Sequence, residues 1–317
     1  MNLLASMRYL VALDEHRHFG RAAQACHITQ PALSNALRAL EGEYGVVIVR
    51  RGRSYVGLTD EGRRVLESAQ RMLHESELLR QELASSADAP TGNLRMGAVP
   101  TAVPLLARFA AQLQALHPAI VPSVLSLSSQ SLEEGLVSLS LDLALGYTDR
   151  MNLQDVKLTA WPQTLEHYFL LRRASRAGHA SGASLQIGAP ITWAHAAEQP
   201  LCLLTSDMHN RTIVDHAFSV AGVNVTPTIE TNSVLALVHC VVTGEVSAVL
   251  PGAMVAASRS QPGLEALPLI TPEIGTPIGF MAQEGVRASR AMEAAVAFLQ
   301  SAEWRAQVDA NSGALSA

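Results

Sequence analysis

Cysteine and lysine are scarce in this 317-residue chain. The three cysteines, Cys26, Cys202 and Cys240, are far apart and form no Cys-x-x-Cys motif, so the sequence contains no disulfide framework. This usage fits a reducing compartment. Lys157 is the only lysine, and arginine therefore supplies nearly all of the positive charge. Arginine favours bidentate contacts with phosphate and guanine.

Long hydrophobic runs are also missing. No uncharged apolar stretch reaches the length of about 18 residues that a spanning helix needs. The N-terminus has an apolar segment, but Arg8 interrupts it, and neither a basic region nor a small-residue cleavage site accompanies it. We therefore expect a cytoplasmic protein without a membrane partner.

Motifs of catalysis are absent as well. The sequence has no glycine-rich phosphate loop, no His-Glu-x-x-His and no Gly-x-Ser-x-Gly. Ser128 and Ser129 have no recognisable base to activate them. His16 and His18 form only a pair, too few ligands for a closed metal site. We expect no catalytic residues, no metal and no cofactor.

Length and charge favour a regulated DNA-binding protein of two or three domains. The chain has a net charge of −5, but the charges are unevenly spread. Residues 1–64 contain nine arginines and six acidic residues, a net charge of +3, whereas the rest contains 14 basic and 22 acidic residues, a net charge of −8. A mildly basic N-terminal module on an acidic body suits DNA binding.

Residues 19–41 have the pattern of a helix-turn-helix. A short helix over 20–26 is followed by a turn at His27 and by a second helix that Thr29 can cap, with Pro31 in its first turn. The second helix has an apolar stripe of Ala32, Leu33, Ala36, Leu37 and Leu40. Its other face has polar groups suited to base edges and phosphates. The alternative is a helical hairpin that does not bind DNA.

Two β-prone runs, 46–49 and 55–58, predict a two-stranded wing with an arginine-rich tip. Arginines on such a hairpin can follow the phosphates beside the groove; the alternative is a solvated turn. Together, the helix and the wing give the predicted DNA-binding residues: Gln30, Pro31, Ala32, Ser34, Asn35, Arg38, Arg50, Arg51 and Arg53.

The next helix, predicted from Thr59 to about Ser85, is too long for a small domain. Its apolar residues alternate at spacings of four and three, as in a coiled coil. The predicted dimerisation seam consists of Val65, Ala69, Met72, Leu79 and Leu83, with Ser76 as its weak position. The alternative is a helix packed on its own domain.

After a hinge rich in serine and alanine, strands alternate with helices, which predicts an α/β domain with ligand loops at the carboxyl ends of strands. Hydroxyl residues occupy several of these loops: Thr101, Ser128, Ser129, Thr205 and Thr231. We expect them to converge on a cleft for a small anion such as a carboxylate, because hydroxyls and helix N-termini can bind negative charge. Each of them taken singly is equally well explained as a helix cap.

The chain resembles the LysR-type transcriptional regulators. The resemblance lies in Phe19, Ala22, Ala23, the run Gln-Pro-Ala-Leu-Ser at 30–34, Leu40, Glu41 and Gly45, and in the later segments LRMGAVPTA, SLEEGLVSLSLDLALG and VVTGEVSAVLP. The chain departs from the family pattern at Asn35, where arginine or another polar residue is frequent, and in the first wing strand, where Ile48 or Val49 replaces phenylalanine.

The resemblance implies a fold and a set of domain boundaries. These are a winged helix-turn-helix at 1–58, a linker helix at 59–87 and an α/β effector domain at 88–317 similar to periplasmic binding proteins. Lobe I would span about 91–157 and 268–317, and lobe II about 158–267. The resemblance also implies promoter DNA, a small effector, further copies of the chain in a dimer or tetramer, and RNA polymerase as partners.

Some members of that family sense peroxide through a cysteine in a Gly-His-Cys context. Here Met208, His209 and Asn210 occupy the matching stretch, with Asn210 in place of the thiol, while Cys202 and Cys240 lie in apolar segments typical of structural thiols. Two alternatives stay open: a DNA-binding regulator with a redox or metal trigger, and a solute-binding module or enzyme built on the C-terminal fold alone.

Overall fold

The computed structural model describes residues 2–52, 55–84, 90–149, 157–174 and 184–315. The chain divides into two compact units: residues 2–84 of the described part form the first, and the second is built from residues 90–286 and 290–315. None of the helices in the described ranges is both long and apolar enough to cross a membrane.

Four helices and a two-stranded hairpin build the first unit. They are α1 (Leu3–His16), α2 (Phe19–Ala25), α3 (Gln30–Tyr44), β1 (Val49–Arg51), β2 (Tyr55–Leu58) and α4 (Asp60–Ala84). The hairpin strands are antiparallel, with Val49 opposite Leu58. The predicted helix pair, wing and linker helix are therefore all present in the described part of the chain.

Helix α3 begins as its sequence predicts. The Thr29 hydroxyl accepts a hydrogen bond from the Ala32 N–H at 3.4 Å, and Pro31 lies in the first turn. Leu33, Leu37 and Leu40 are fully buried in the core of the unit. Ala32 is exposed, so its place in the predicted apolar stripe was wrong, because the stripe that contacts the core is narrower than the sequence suggests.

Two glycines shape this unit. Gly45 has a left-handed φ of 65° and ends α3, a conformation that costs glycine little. Gly62 lies in the first turn of α4, where a Cβ would come within 2.2 Å of the Ile48 carbonyl oxygen. Any larger residue there would push the helix away from the wing.

The linker helix α4 packs against α1 within a single chain. This packing removes part of the predicted dimerisation seam. Ala69 is fully buried in the unit, and Val65 is half-buried against the core of the unit. Met72, Leu79 and Leu83, by contrast, are 45%, 53% and 81% exposed. Only these three of the five predicted seam residues are available to a partner helix.

The second unit contains two sheets, which we call lobe I and lobe II. Lobe I comprises β3 (Gly92–Ala98), a 3₁₀ turn (Pro100–Ala102), α5 (Val103–Leu116), β4 (Ile120–Ser126), α6 (Ser129–Val137), β5 (Leu143–Tyr147), β6 (Leu158–Glu166), β14 (Thr276–Gln283), α11 (Arg290–Leu299) and α12 (Ala302–Asn311). Its strand order is β4-β3-β5-β14-β6, with the first three strands parallel. Phe109, Phe280 and Trp304 pack together in its core.

Lobe II lies between the two halves of lobe I in sequence. It comprises β7 (Tyr168–Arg173), β8 (Gln186–Ile187), β9 (Ile191–Thr192), α7 (Trp193–Ala196), β10 (Leu201–Leu204), α8 (His209–Val220), β11 (Ile229–Thr231), α9 (Val234–Thr243), β12 (Ser247–Pro251), α10 (Gly252–Ala257) and β13 (Leu264–Ile270). The strand order is β11-β10-β12-β7-β13-β8, and β9 also pairs with β13.

The chain passes between the lobes at two adjacent places. The first is His167, between β6 and β7, and the second is the segment 271–275, between β13 and β14. Strand β6 pairs with β14 along its whole length, from Leu158 opposite Gln283 to Glu166 opposite Thr276. Residues 158–166 therefore belong to lobe I, whereas the sequence analysis places them in lobe II, because strand pairing cannot be deduced from strand propensity.

Candidate functional site

The first candidate site is the outward face of α3. Gln30, Pro31, Ala32, Asn35 and Arg38 are exposed on it, and Ser34 is half-buried. The opposite face of the helix is anchored in the core through Leu33 and Leu37. A rigid helix that presents an amide, a hydroxyl and a guanidinium side by side has the donors and acceptors that base edges require.

The wing lies next to this helix in sequence and is fixed to it. The Glu41 carboxylate, near the end of α3, accepts hydrogen bonds from the N–H groups of Ile48 and Val49 at 3.0 and 3.1 Å. Thr59 donates to the Val47 carbonyl at 2.5 Å and caps α4 through the Gly62 N–H. In the sequence, Glu41 is notable only as part of the family resemblance, and its anchoring role depends on contacts that only the structure shows.

Of the three predicted wing arginines, only the first has a side chain that the structure describes. Arg50 is exposed on β1. Arg51 is the last residue of the same strand, but its side chain, like the whole of Arg53, lies outside the described residues. Nearby, His18 caps α2 by accepting from the N–H groups of Gly20 and Arg21, so this histidine has a structural role.

The second candidate site is a cavity of about 250 Å³ between the lobes of the second unit. Lobe I contributes Thr101, Ser128, Ser129 and Tyr147 to its wall, because β3, β4 and β5 are parallel and end at the same edge. Lobe II contributes the beginning of α8 and one residue after β11. These residues are Asp207, Met208, His209, Asn210 and Asn232.

Three of the five hydroxyl residues predicted for an effector therefore lie together, and two do not. Thr205 and Thr231 are absent from the wall of the cavity. The Thr205 N–H donates to the Thr231 carbonyl, which extends the pairing of β10 with β11, and the Thr231 hydroxyl accepts from the Ser233 N–H. Thr205 Oγ1 is buried without a hydrogen-bond partner among the described residues.

The lobe I hydroxyl groups differ in the hydrogen bonds that they already make within the protein. Ser128 is the N-cap of α6, accepting from the Ser131 N–H at 3.1 Å and donating to the Ser131 hydroxyl. Thr101 does not cap a helix; it is buried, and its hydroxyl lies 3.3 Å from the Tyr147 hydroxyl. The simple capping interpretation therefore holds for Ser128 and fails for Thr101.

A chain of buried polar groups continues from Thr101 behind the cavity. The Asn210 side-chain N–H₂ donates to the hydroxyls of Tyr147 and Tyr168, both at 3.5 Å, and the Tyr168 hydroxyl lies 3.2 Å from that of Thr276. Tyr147 and Thr276 belong to lobe I, and Asn210 and Tyr168 to lobe II. We call these five residues, Thr101, Tyr147, Asn210, Tyr168 and Thr276, the interlobe polar chain.

Glu166 lies beside the interlobe polar chain. It is the last residue of β6, after which the polypeptide leaves lobe I. It is completely buried, and neither carboxylate oxygen has a hydrogen-bond partner among the described residues. Burial raises the pKa of Glu166 to about 8, and the nearby backbone N–H of Ala253 only partly offsets this. Burial, with a smaller contribution from Glu166, also raises the pKa of Tyr147 to about 12, so this tyrosine stays protonated.

Neither cysteine of lobe II lies on the cavity wall. Cys202 is fully buried in β10 and Cys240 is half-buried in α9, and both are free thiols. Burial, together with the neighbouring Cys240, raises the pKa of Cys202 to about 12. Because the thiolate is the reactive form, Cys202 is a poor nucleophile at neutral pH.

Comparison with known families places both sites in matched regions. The model of the "Bacterial regulatory helix-turn-helix protein, lysR family" matches residues 4–63, and the model of the "LysR substrate binding domain" matches residues 87–304.

Individual relatives match over shorter stretches. The SDS degradation transcriptional activation protein of a Pseudomonas species is 35% identical over 185 residues, which cover 56% of this chain and 60% of that protein. The DNA-binding transcriptional dual regulator OxyR of Escherichia coli is 39% identical over 103 residues, covering 32% of this chain and 34% of that one. The aligned segments thus span less than two thirds of these relatives.

Solved structures match over nearly the whole chain. A full-length OxyR variant from Pseudomonas aeruginosa has 26% identity and a TM-score of 0.66, covering 93% of this chain and 96% of that one. Full-length CbnR complexed with its target DNA has a TM-score of 0.63, covering 96% and 99% of the two chains. At 19% identity, the likeness to CbnR concerns the fold alone.

Glu166 generates a prediction about pH. Its folded-state pKa of about 8 exceeds the ordinary value of 4.5, so the folded protein holds a proton that the unfolded chain has released. Stability from this group is complete below about pH 4.5 and is lost as the pH rises to 8. Between these two pH values, the free energy of unfolding falls by about 1.4 kcal/mol per pH unit. Glu166→Gln should remove this loss and be more stable than wild type at pH 8.

The measurement is urea unfolding of the full chain at several pH values between 5 and 8. Glu284→Gln makes the same chemical change at an exposed carboxyl after β14 and serves as the control. Parallel stability curves for wild type and Glu166→Gln would contradict the prediction.

Proposed function

The chain belongs to the LysR family of bacterial transcriptional regulators, and from this membership we propose that it binds promoter DNA through its first unit and a small effector through its second. The exposed polar face of α3 beside the anchored wing carries the proposal for DNA. The interlobe cavity, lined by polar groups from both lobes, carries the proposal for the effector.

For DNA, we assign base contacts to α3 and phosphate contacts to the wing. Gln30 should make hydrogen bonds to base edges, so Gln30→Ala should cost roughly 1–3 kcal/mol at particular base pairs and relax the preference there. Arg50→Ala should weaken binding to all sequences alike and flatten the salt dependence by about one unit. Fluorescence anisotropy with a duplex that the wild-type chain selects from a randomised pool measures both effects.

Arg80→Ala is the matched control for the loss of charge. Arg80 is an exposed arginine five turns along α4, paired with Glu77, and we expect its removal to leave DNA affinity unchanged. If Gln30→Ala and Arg50→Ala bind the selected duplex as wild type does, the DNA-binding surface lies elsewhere.

For assembly, we propose that two copies pair through the exposed apolar residues of α4, namely Met72, Leu79 and Leu83. A dimer presents two reading helices to a dyad operator. Leu79→Asp with Leu83→Asp should place charges in the apolar contact and lower the mass observed by sedimentation velocity. Arg71→Asp, on the polar side of the same helix, should leave the mass unchanged. An unaltered mass for the leucine variant would rule out this seam.

For the effector, we propose a small carboxylate or another small anion. The cavity has hydroxyl and amide groups on its wall, and α8 begins there without a side-chain cap. A twelve-residue helix favours negative charge near its N-terminus. Among the described residues of the wall, Asp207 is the one that is acidic; it is exposed, where solvent screens its charge.

Thr101→Val tests the effector site. The change keeps the shape of the side chain but removes the hydroxyl, so affinity for a bound carboxylate should fall by roughly 1–3 kcal/mol. Thermal-shift screening of the full chain with acetate, succinate and benzoate identifies the probe, and calorimetry then compares the variants. Thr205→Val makes the same change at a half-buried threonine off the wall and should bind as wild type. Equal affinity of the Thr101 variant and wild type would place the effector elsewhere.

Several relatives are named as hydrogen peroxide-inducible genes activators, which raises a redox trigger as a second possibility. The residues of this chain argue against it. By the family resemblance, Asn210 stands where peroxide-sensing members have the reactive thiol, and burial raises the pKa of Cys202 to about 12. A bound small molecule therefore explains the cavity better than a thiol oxidation does.

A further inference from the structure

A second pocket, a groove of about 460 Å³, adjoins the effector cavity, and the walls of the two share Pro100, Ser126 and Asn232. Pro100 and Ser126 belong to lobe I and Asn232 to lobe II, so the two pockets meet at the boundary of the lobes. A ligand long enough to pass these three residues would enter both pockets, whose walls differ in chemistry.

The groove end is mainly apolar. Its larger apolar side chains come from both lobes: Val103 and Pro104 from lobe I, and Val234, Leu235, Val238 and Met254 from lobe II. Its polar groups are uncharged and belong to Ser126, Asn232, Ser233, Ser258 and Gln261. No charged side chain of the described residues lines it, so an ionised group placed there would have no oppositely charged partner to offset its loss of hydration. Leu235 is 79% exposed, an apolar side chain at the mouth of the groove that a ligand would cover.

The polar end alone is small. Its volume of about 250 Å³ lies below the range of roughly 300–1,000 Å³ typical of pockets that bury a ligand. The cavity and groove together fall within this range. A ligand that filled both would contact lobe I and lobe II at each end and so stabilise one arrangement of the lobes.

We propose that the effector is an amphipathic small molecule, with a polar or anionic head among Thr101, Ser128 and Asn210 and a hydrocarbon tail in the groove. The inference rests on the proposed effector role of the cavity and adds the chemical class of the ligand. The apolar wall also requires that the tail carry no charge.

The test uses two series of probes on the full chain, each at concentrations where the probe is monomeric. One series is the linear carboxylates from acetate to decanoate, and the other is the linear alcohols of the same lengths. Calorimetry should show affinity rising about fourfold with each added methylene until the groove is filled. Thr101→Val should lower the affinity for all lengths of carboxylate by a common factor.

Two variants test whether the hydrocarbon tail of the ligand binds in the groove. Ala257 is exposed and lines the groove, so Ala257→Phe should fill part of it and shorten the chain length of tightest binding. Leu235→Gln should reduce the gain per methylene. Val220→Gln, at an exposed position of α8 that lines neither space, is the control and should reproduce the wild-type series.

The outcomes separate this inference from the proposed function. Carboxylates that bind with the same affinity at every length would overturn the inference and leave the effector site standing. Alcohols that gain with length while carboxylates fail to bind would support the tail groove and overturn the anionic head. Absence of binding in both series would overturn both. A change of sedimenting mass in Leu235→Gln, with no change in the length dependence, would assign the groove to a second copy of the chain and overturn the inference.

Discussion

The second unit depends on one set of contacts, the interlobe polar chain from Thr101 through Tyr147, Asn210 and Tyr168 to Thr276. Its groups are buried, and each lies 3.2–3.5 Å from the next. A buried polar group that loses its hydrogen-bond partner destabilises the fold, because no contact with water replaces the lost hydrogen bond. Any movement that separates the lobes at this place must therefore supply new partners, from water or from a ligand.

The position of the interlobe polar chain explains how ligand binding could change the arrangement of the lobes. Thr101 and Asn210 form part of the cavity wall and also belong to the interlobe polar chain. A ligand that hydrogen-bonds to either residue changes the partners of Tyr147 and Tyr168 beyond it. Glu166, whose carboxylate oxygens have no hydrogen-bond partner among the described residues, lies at the adjoining crossing of the lobes. Its ionisation would place a negative charge in a region from which water is excluded, so these surroundings are sensitive to charge. Binding and lobe geometry are thus coupled through adjacent groups.

Local signals in the sequence predicted the parts of the molecule that local chemistry decides. Thr29 and Ser128 cap their helices, and Leu33, Leu37 and Leu40 are buried, because capping and helical periodicity depend on residues within one or two turns. The signals failed where distant segments compete for the same surface. Ala69 fits a coiled-coil seam by spacing, yet it is buried within its own unit, where α1 packs on α4.

The candidate cavity shows the same division. Thr101, Ser128 and Ser129 could be found because they follow parallel strands. Tyr147 follows the same rule, as a polar residue at the end of an apolar strand, and could have been found by it. Thr205 and Thr231 obey the rule in sequence, but the pairing of β10 with β11 continues through their backbones and keeps them off the wall. The assignment of β6 to lobe I required the register of its pairing with β14.

The scarcity of lysine has a consequence for recognition in the second unit. Several of its arginines are used in ion pairs within a single lobe: Arg95 with Asp142 in lobe I, and Arg172 with Glu265 and Arg211 with Asp215 and Glu230 in lobe II. Neither the cavity nor the groove has an arginine or lysine among the described residues of its wall. Recognition there must depend on hydroxyls, amides, the His209 side chain and the N-terminus of α8. Such dipoles select by position rather than by net charge, so the shape of the apolar groove should contribute much of the discrimination among ligands that share a head group.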